Sequence, residues 1–76
     1  MTRELDIRGL LCPLTWARVK RELLSMQDGD VLHVVLDHRP AVPDIRRNAA
    51  DLGHDVVNAV EASPGVWELD IELGGD

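Results

Sequence analysis

The chain has no second cysteine. Cys12 stands alone, so an intrachain disulfide is excluded and a zinc site has no thiolate pair to build on. There is no Phe and no Tyr, and the two Trp are too few for a base-stacking platform. No Lys or Arg follows Arg47: residues 48–76 carry seven acids and no cation (−7), whereas residues 1–47 carry all eight cations against seven acids (+1), which together give the net −6. Direct nucleic-acid binding is disfavoured, because neutralising phosphates takes clustered cations. No apolar run is long enough to span a bilayer, and no charged start leads into a signal-like apolar stretch. The expectation is a soluble, cytoplasmic, monomeric chain without membrane insertion. A single free thiol fits a reducing compartment. Repeats, linkers and low-complexity segments are missing too, so residues 1–76 read as one domain.

Apolar periodicity then supplies the elements. Leu5 and Ile7 alternate with Glu4, Asp6 and Arg8 as a short strand. Gly9 allows a turn, and residues 13–27 read as a helix. Its apolar face is Trp16, Val19, Leu23 and Met26, with Ala17 and Leu24 beside it. Asp28-Gly29-Asp30 stops it, with Gly29 expected as a left-handed cap. Val31–Leu36 is a β-branched run and the second strand. After a loop at 37–43, a second helix runs to about Leu52, with Val42, Ile45, Ala49 and Leu52 as its stripe. Pro43 is tolerated in its first turn, and Gly53 ends it. His54–Glu61 and Val66–Leu73 form an antiparallel hairpin around Ser63-Pro64-Gly65. In the last strand Trp67, Leu69, Ile71 and Leu73 alternate with acids, so one face stays wet. The order β-α-β-α-β-β predicts an α+β fold, a two-layer α/β sandwich. Two helices cover one face of a four-stranded mixed sheet.

The chemistry concentrates where the first strand gives way to the first helix. With Cys12 at the N-cap and Pro13 at the first helical position, Leu11 and Trp16 are spaced as a hydrophobic staple. The free amides of Leu14 and Thr15 then point back at the sulfur. Together with the helix dipole they favour thiolate over thiol. Arg8 and Arg39 add positive charge if the strand-end loops converge on one edge. A lone thiolate is a nucleophile suited to one-sulfur chemistry: carrying a persulfide, handing it on, or forming a transient intermolecular disulfide. The bland alternative is a small buried hydrophobe.

Gly9-Leu10-Leu11-Cys12-Pro13, Lys20, Gly29, Asp37, Asp44-Ile45 and Gly53-His54 resemble the TusA/SirA family of sulfur carriers, over about residues 4–73. The resemblance implies a persulfide on Cys12 and a sulfurtransferase with little stand-alone turnover; no cofactor or metal is expected. It implies a cysteine desulfurase or rhodanese-like protein as sulfur donor and an acceptor protein downstream. The destinations would be tRNA thiolation, molybdenum cofactor maturation or sulfur oxidation. Two departures stand out. The family's Cys-Pro-x-Pro reads Cys-Pro-Leu-Thr here, so Thr15 restores a backbone donor and brings a hydroxyl near the sulfur, which is expected to strengthen thiolate stabilisation. The family's Asp-Asp-Pro loop reads Asp37-His38-Arg39, which weakens the case for the tRNA branch.

The remaining polar residues have ordinary readings beside functional ones. Lys20 either steers partners or lays its stem along the core edge with a wet ammonium. His33, in a strand, reads as surface, while His38 shares the Cys12 edge and is a candidate proton acceptor. None of the three His has metal-ligand spacing. Asp44 reads as first-turn helix charge. Two other classes remain open. A ubiquitin-like carrier would use a C-terminal Gly-Gly, but Gly74-Gly75 is followed here by Asp76, and the early helix argues against that fold. A non-catalytic interaction or redox-sensing module would keep Cys12 structural or regulatory.

Overall fold

A computed structural model describes residues 1–74; Gly75 and Asp76, part of the Gly-Gly-Asp end considered above, lie outside the described residues. The alternating segment at the start forms β1 (Thr2–Asp6), and Leu5 and Ile7 turn inward to be buried. The Ile7 amide continues the ladder by donating to the Val35 carbonyl at 2.8 Å. Helix α1 (Leu14–Leu24) crosses to β2 (Val31–Leu36), which lies parallel to β1. Helix α2 (Ala41–Asp51) leads to β3 (Asp55–Ser63), and a tight turn returns the chain as β4 (Val66–Glu72). The sheet order is β1-β2-β4-β3, with β4 antiparallel to both of its neighbours. β3 therefore runs parallel to β2 with β4 slotted between them.

The register explains the two layers. Leu5 stands opposite Val34, Val34 opposite Leu69, and Leu69 opposite Ala59. Residues directly opposite share a face, so one apolar row crosses all four strands beneath the helices. Val19 and Leu23 of α1 and Val42, Ile45 and Ala49 of α2 close over it. The next row, Glu4, His33, Asp70 and Asn58, faces the other way and stays polar. The expected two-layer architecture, with its four-stranded mixed sheet and two helices, is what forms. His33 sits on the open face.

The helix ends differ from the sequence reading. α1 stops at Leu24, where Ser25 donates its hydroxyl to the Glu22 carbonyl at 2.8 Å and leaves the helix. Gly29 thus lies in the following turn, its amide held by the Leu73 carbonyl at 2.8 Å, and does not cap the helix. Ala17 and Leu24 are exposed, while Thr15 joins Val19 and Leu23 on the buried face. At α2, Leu52 is the cap residue rather than part of the stripe, and it turns outward. Gly53 follows at φ +87, its amide on the Ala50 carbonyl and that of His54 on the Ala49 carbonyl. That is the Schellman pattern, and it asks for the left-handed backbone glycine adopts without strain. β3 is longer than expected and irregular, with register shifts between Val56 and Asn58 and between Glu61 and Ser63.

Candidate functional site

Parallel pairing of β1 with β2 brings the ends of both strands to one edge of the sheet. There the two following loops are stitched together: Asp37, just after β2, accepts the Gly9 amide at 2.9 Å. The loop from Ile7 to Pro13 is ordered by its own bonds, Leu10 amide to Ile7 carbonyl at 3.2 Å and Leu14 amide to Leu11 carbonyl at 2.8 Å. Cys12 sits at its end, exposed, before a cis peptide bond to Pro13.

The capping geometry differs from the sequence expectation by one residue. Pro13, not Cys12, is the N-cap, and α1 begins at Leu14. The turn from Leu11 to Leu14 takes up the Leu14 amide, so that amide does not point at the sulfur. The staple is also missing: Leu11 is 61% exposed, and Trp16 packs on the core without it. Leu14 is exposed as well, so Cys12 is flanked on both sides by solvent-facing leucines.

Two side chains approach the sulfur. Thr15 Oγ1 lies 3.7 Å from Cys12 Sγ, and Asp44 Oδ2 lies 3.9 Å away on the other helix. Thr15 is only 1% exposed, so its hydroxyl is shut off from bulk water and turned toward the thiol. Asp44 is braced by Arg47, whose Nη2 donates to Oδ1 at 3.0 Å. From sequence alone Asp44 reads only as first-turn helix charge. Its closeness to Cys12 depends on how α1 and α2 pack, although the neighbouring Ile45, fully buried, pins that turn of α2 against the core.

The proposed cations behave differently from one another. Arg8 closes on Asp6 through three contacts of 2.8 to 3.2 Å, so its charge is neutralised locally and not offered to the sulfur. The Arg8 guanidinium and amide hold the Asp6 carboxyl down to about 2, and Asp6 in return raises Arg8. Arg39 is exposed and lines a shallow groove with Pro40, Val42, Pro43 and Trp67. His38 is half-buried; its carbonyl accepts the Ala41 amide at 3.0 Å and so helps to start α2. Lys20 is exposed on α1 and makes no ion pair among the described residues. Among the described residues no three His, Cys, Asp or Glu side chains converge to hold a metal ion. No helix among the described residues is long and apolar enough to cross a membrane.

The family model described as sulfurtransferase TusA matches residues 3–73. The chain belongs to the TusA family. Among its relatives, a candidate sulfur carrier protein of Archaeoglobus fulgidus is 38% identical over 65 residues, covering 86% of this chain and 74% of that one. The sulfur carrier protein TusA of Allochromatium vinosum is 37% identical over 59 residues, 78% of each chain. The crystal structure of a SirA-like protein from Desulfitobacterium hafniense superposes with a TM-score of 0.84 at 25% identity, covering 99% of this chain and 100% of that one. The TusA assignment therefore agrees with the two-layer architecture derived above.

Proposed function

We propose that this chain is a sulfur carrier in which Cys12 accepts a sulfane sulfur as a persulfide and relays it by protein contact. The observation that carries the reading is the placement of the only thiol in a TusA-family chain: exposed, at the end of an ordered loop, between exposed Leu11 and Leu14. A thiol displayed in this way can be reached by a second protein's persulfide, and the two leucines offer that protein an apolar rim. The relatives named as sulfur carriers support the same role.

The transfer needs no external oxidant. Cys12 Sγ attacks the outer sulfur of a donor persulfide. The donor's S–S bond breaks with its electron pair on the inner sulfur, which leaves as a thiolate and gains the proton that Cys12 lost. The acceptor step repeats this with the roles exchanged. Residues 1–76 act as one domain and as a stoichiometric relay, a sulfurtransferase that works through partners. The donor is a cysteine desulfurase or a rhodanese-like protein, and the acceptor belongs to tRNA thiolation, molybdenum cofactor maturation or sulfur oxidation. A single free thiol stays reduced and open to loading in a reducing compartment, in line with the cytoplasm. Around the sulfur, Pro13 sets the helix entry, Leu14 forms the rim and Thr15 contacts Sγ. Arg39, His38 and Lys20 face partners from the neighbouring loop and helix, and Arg8 orders the loop through Asp6.

Intact mass after incubation with a cysteine desulfurase and cysteine, and separately with a rhodanese and thiosulfate, tests this. A gain of one sulfur atom that reductant reverses is expected from at least one donor, and the donor that works points to the pathway. No gain from either donor, with Cys12 open to alkylation, would favour an interaction or redox-sensing module.

A further inference from the structure

The two polar neighbours of Cys12 Sγ come from different helices and play unlike parts. A carboxylate can only accept a hydrogen bond, so toward Asp44 Oδ2 at 3.9 Å the thiol is the donor. That leaves a sulfur lone pair to receive the Thr15 hydroxyl at 3.7 Å. Arg47 occupies the other carboxylate oxygen, Oδ1, and so leaves Oδ2 turned to the sulfur. The carboxylate is placed by rigid structure, because Ile45 beside it and Val19 of α1 are both fully buried.

We infer that Asp44 is the proton relay for sulfur loading at Cys12, with Thr15 as the positioning residue that orients the sulfur. The inference rests on the carrier reading above. As Sγ forms its bond to the donor's outer sulfur, the thiol proton moves to Asp44 Oδ2. As the donor's S–S bond breaks, its electron pair stays on the leaving sulfur, which takes the proton from Asp44. One thiol and one persulfide are present before and after, and Asp44 returns to its starting state. A separation of 3.9 Å is long for proton transfer, but catalytic hydrogen bonds of a free protein commonly tighten only in the reacting complex. Of the charged groups on the neighbouring elements, Asp44 and Arg47 belong to α2, Asp6 to the end of β1 with its partner Arg8 in the thiol's own loop, Asp37, His38 and Arg39 to the loop after β2, and Lys20 to α1.

Loading by a persulfide-bearing cysteine desulfurase, followed by time-resolved intact mass from about pH 6 to about pH 9, tests the role. Asp44→Asn is expected to slow loading by about 100-fold near neutral pH, the lower range for loss of a general acid–base. The deficit should narrow as pH rises and solvent takes over the proton. Asp44→Glu, which keeps a carboxylate, should recover most of the rate. Asp51→Asn makes the same charge change on the same helix and should load like the unaltered chain. Loading of Asp44→Asn at the unaltered rate, or a deficit of the same size at every pH, would overturn the relay. Absence of loading in the unaltered chain would instead remove the carrier reading itself.

Discussion

On the open face of the sheet, His33 meets three carboxylates, and this predicts a specific pH dependence of stability. Its Nδ1 lies 2.6 Å from Asp70 Oδ1 and its Nε2 3.4 Å from Glu68 Oε1, with Glu4 opposite on β1. The Asp70 hydrogen bond raises the His33 pKa above the ordinary 6.5; burial works against it, and the charges of Asp70, Glu68 and Glu4 add to it. A pKa raised by folding means that the folded state holds the proton more tightly. The stabilisation is then fully present below 6.5, the unfolded value, and is lost as pH rises through the folded value above it. Exposed ion pairs contribute about 0.2–1 kcal/mol and charge-assisted hydrogen bonds about 1.5–3 kcal/mol. The His33 side chain is 26% exposed and that of Asp70 29%. Solvent therefore screens the pair, and the sum should lie near 1 kcal/mol, the top of the exposed range. In a domain of this size that corresponds to roughly 4–8 °C in Tm. Thermal melts of the unaltered chain and His33→Gln across this range measure it. The unaltered chain should melt higher below pH 6.5, the gap should close as pH rises, and added salt should shrink it. A gap independent of pH, or one that widens as pH rises, would refute the reasoning.

Two further predictions concern the frame that holds the site. Arg3 Nη1 reaches Glu22 Oε2 and Ser25 Oγ, both at 2.8 Å, and so ties β1 to the end of α1. Arg3→Ala should cost about 1 kcal/mol in urea unfolding with an unchanged slope, and a loss within error would show that the tether contributes nothing. A Cβ added at Gly74 would stand 2.7 Å from the Gly53 carbonyl oxygen, a backbone atom at the Schellman turn. Gly74→Ala must therefore shift one of two backbones and should destabilise by about 1–3 kcal/mol, read as a lower Tm; an unchanged Tm would mean that this close approach is not held in solution.

The sequence made the layers legible because alternation in β4 and β-branched density in β2 state their faces directly. Leu69 and Ile71 are buried with acids between them, as the pattern requires. The helix ends were harder, since Leu24 and Leu52 fit an apolar stripe by spacing alone. Both fall where local carbonyl bonds end the helix and turn the side chain to water. The same limit applied at the thiol. Cys-Pro at a helix start suggests a capping sulfur, yet a turn closed by the Leu14 amide moves the cap to Pro13. Arg8 was readable as a cation, but Asp6, two residues back, neutralises it at a range that propensity does not reveal. Asp44 lies 32 residues from Cys12. Their contact arises from the packing of α1 on α2 and leaves no periodic trace in the sequence.

The central claim is that Cys12 holds a sulfur that can leave again. The most direct measurement loads the chain from a persulfide donor, alkylates the terminal sulfur and maps the modified peptide. A parallel sample is first exposed to an acceptor thiol protein. The account predicts one added sulfur on the peptide containing Cys12, its absence in Cys12→Ser, and its disappearance as the acceptor gains one sulfur. A folded chain whose Cys12 alkylates freely yet never acquires the sulfur, or acquires it and cannot pass it on, would contradict the account.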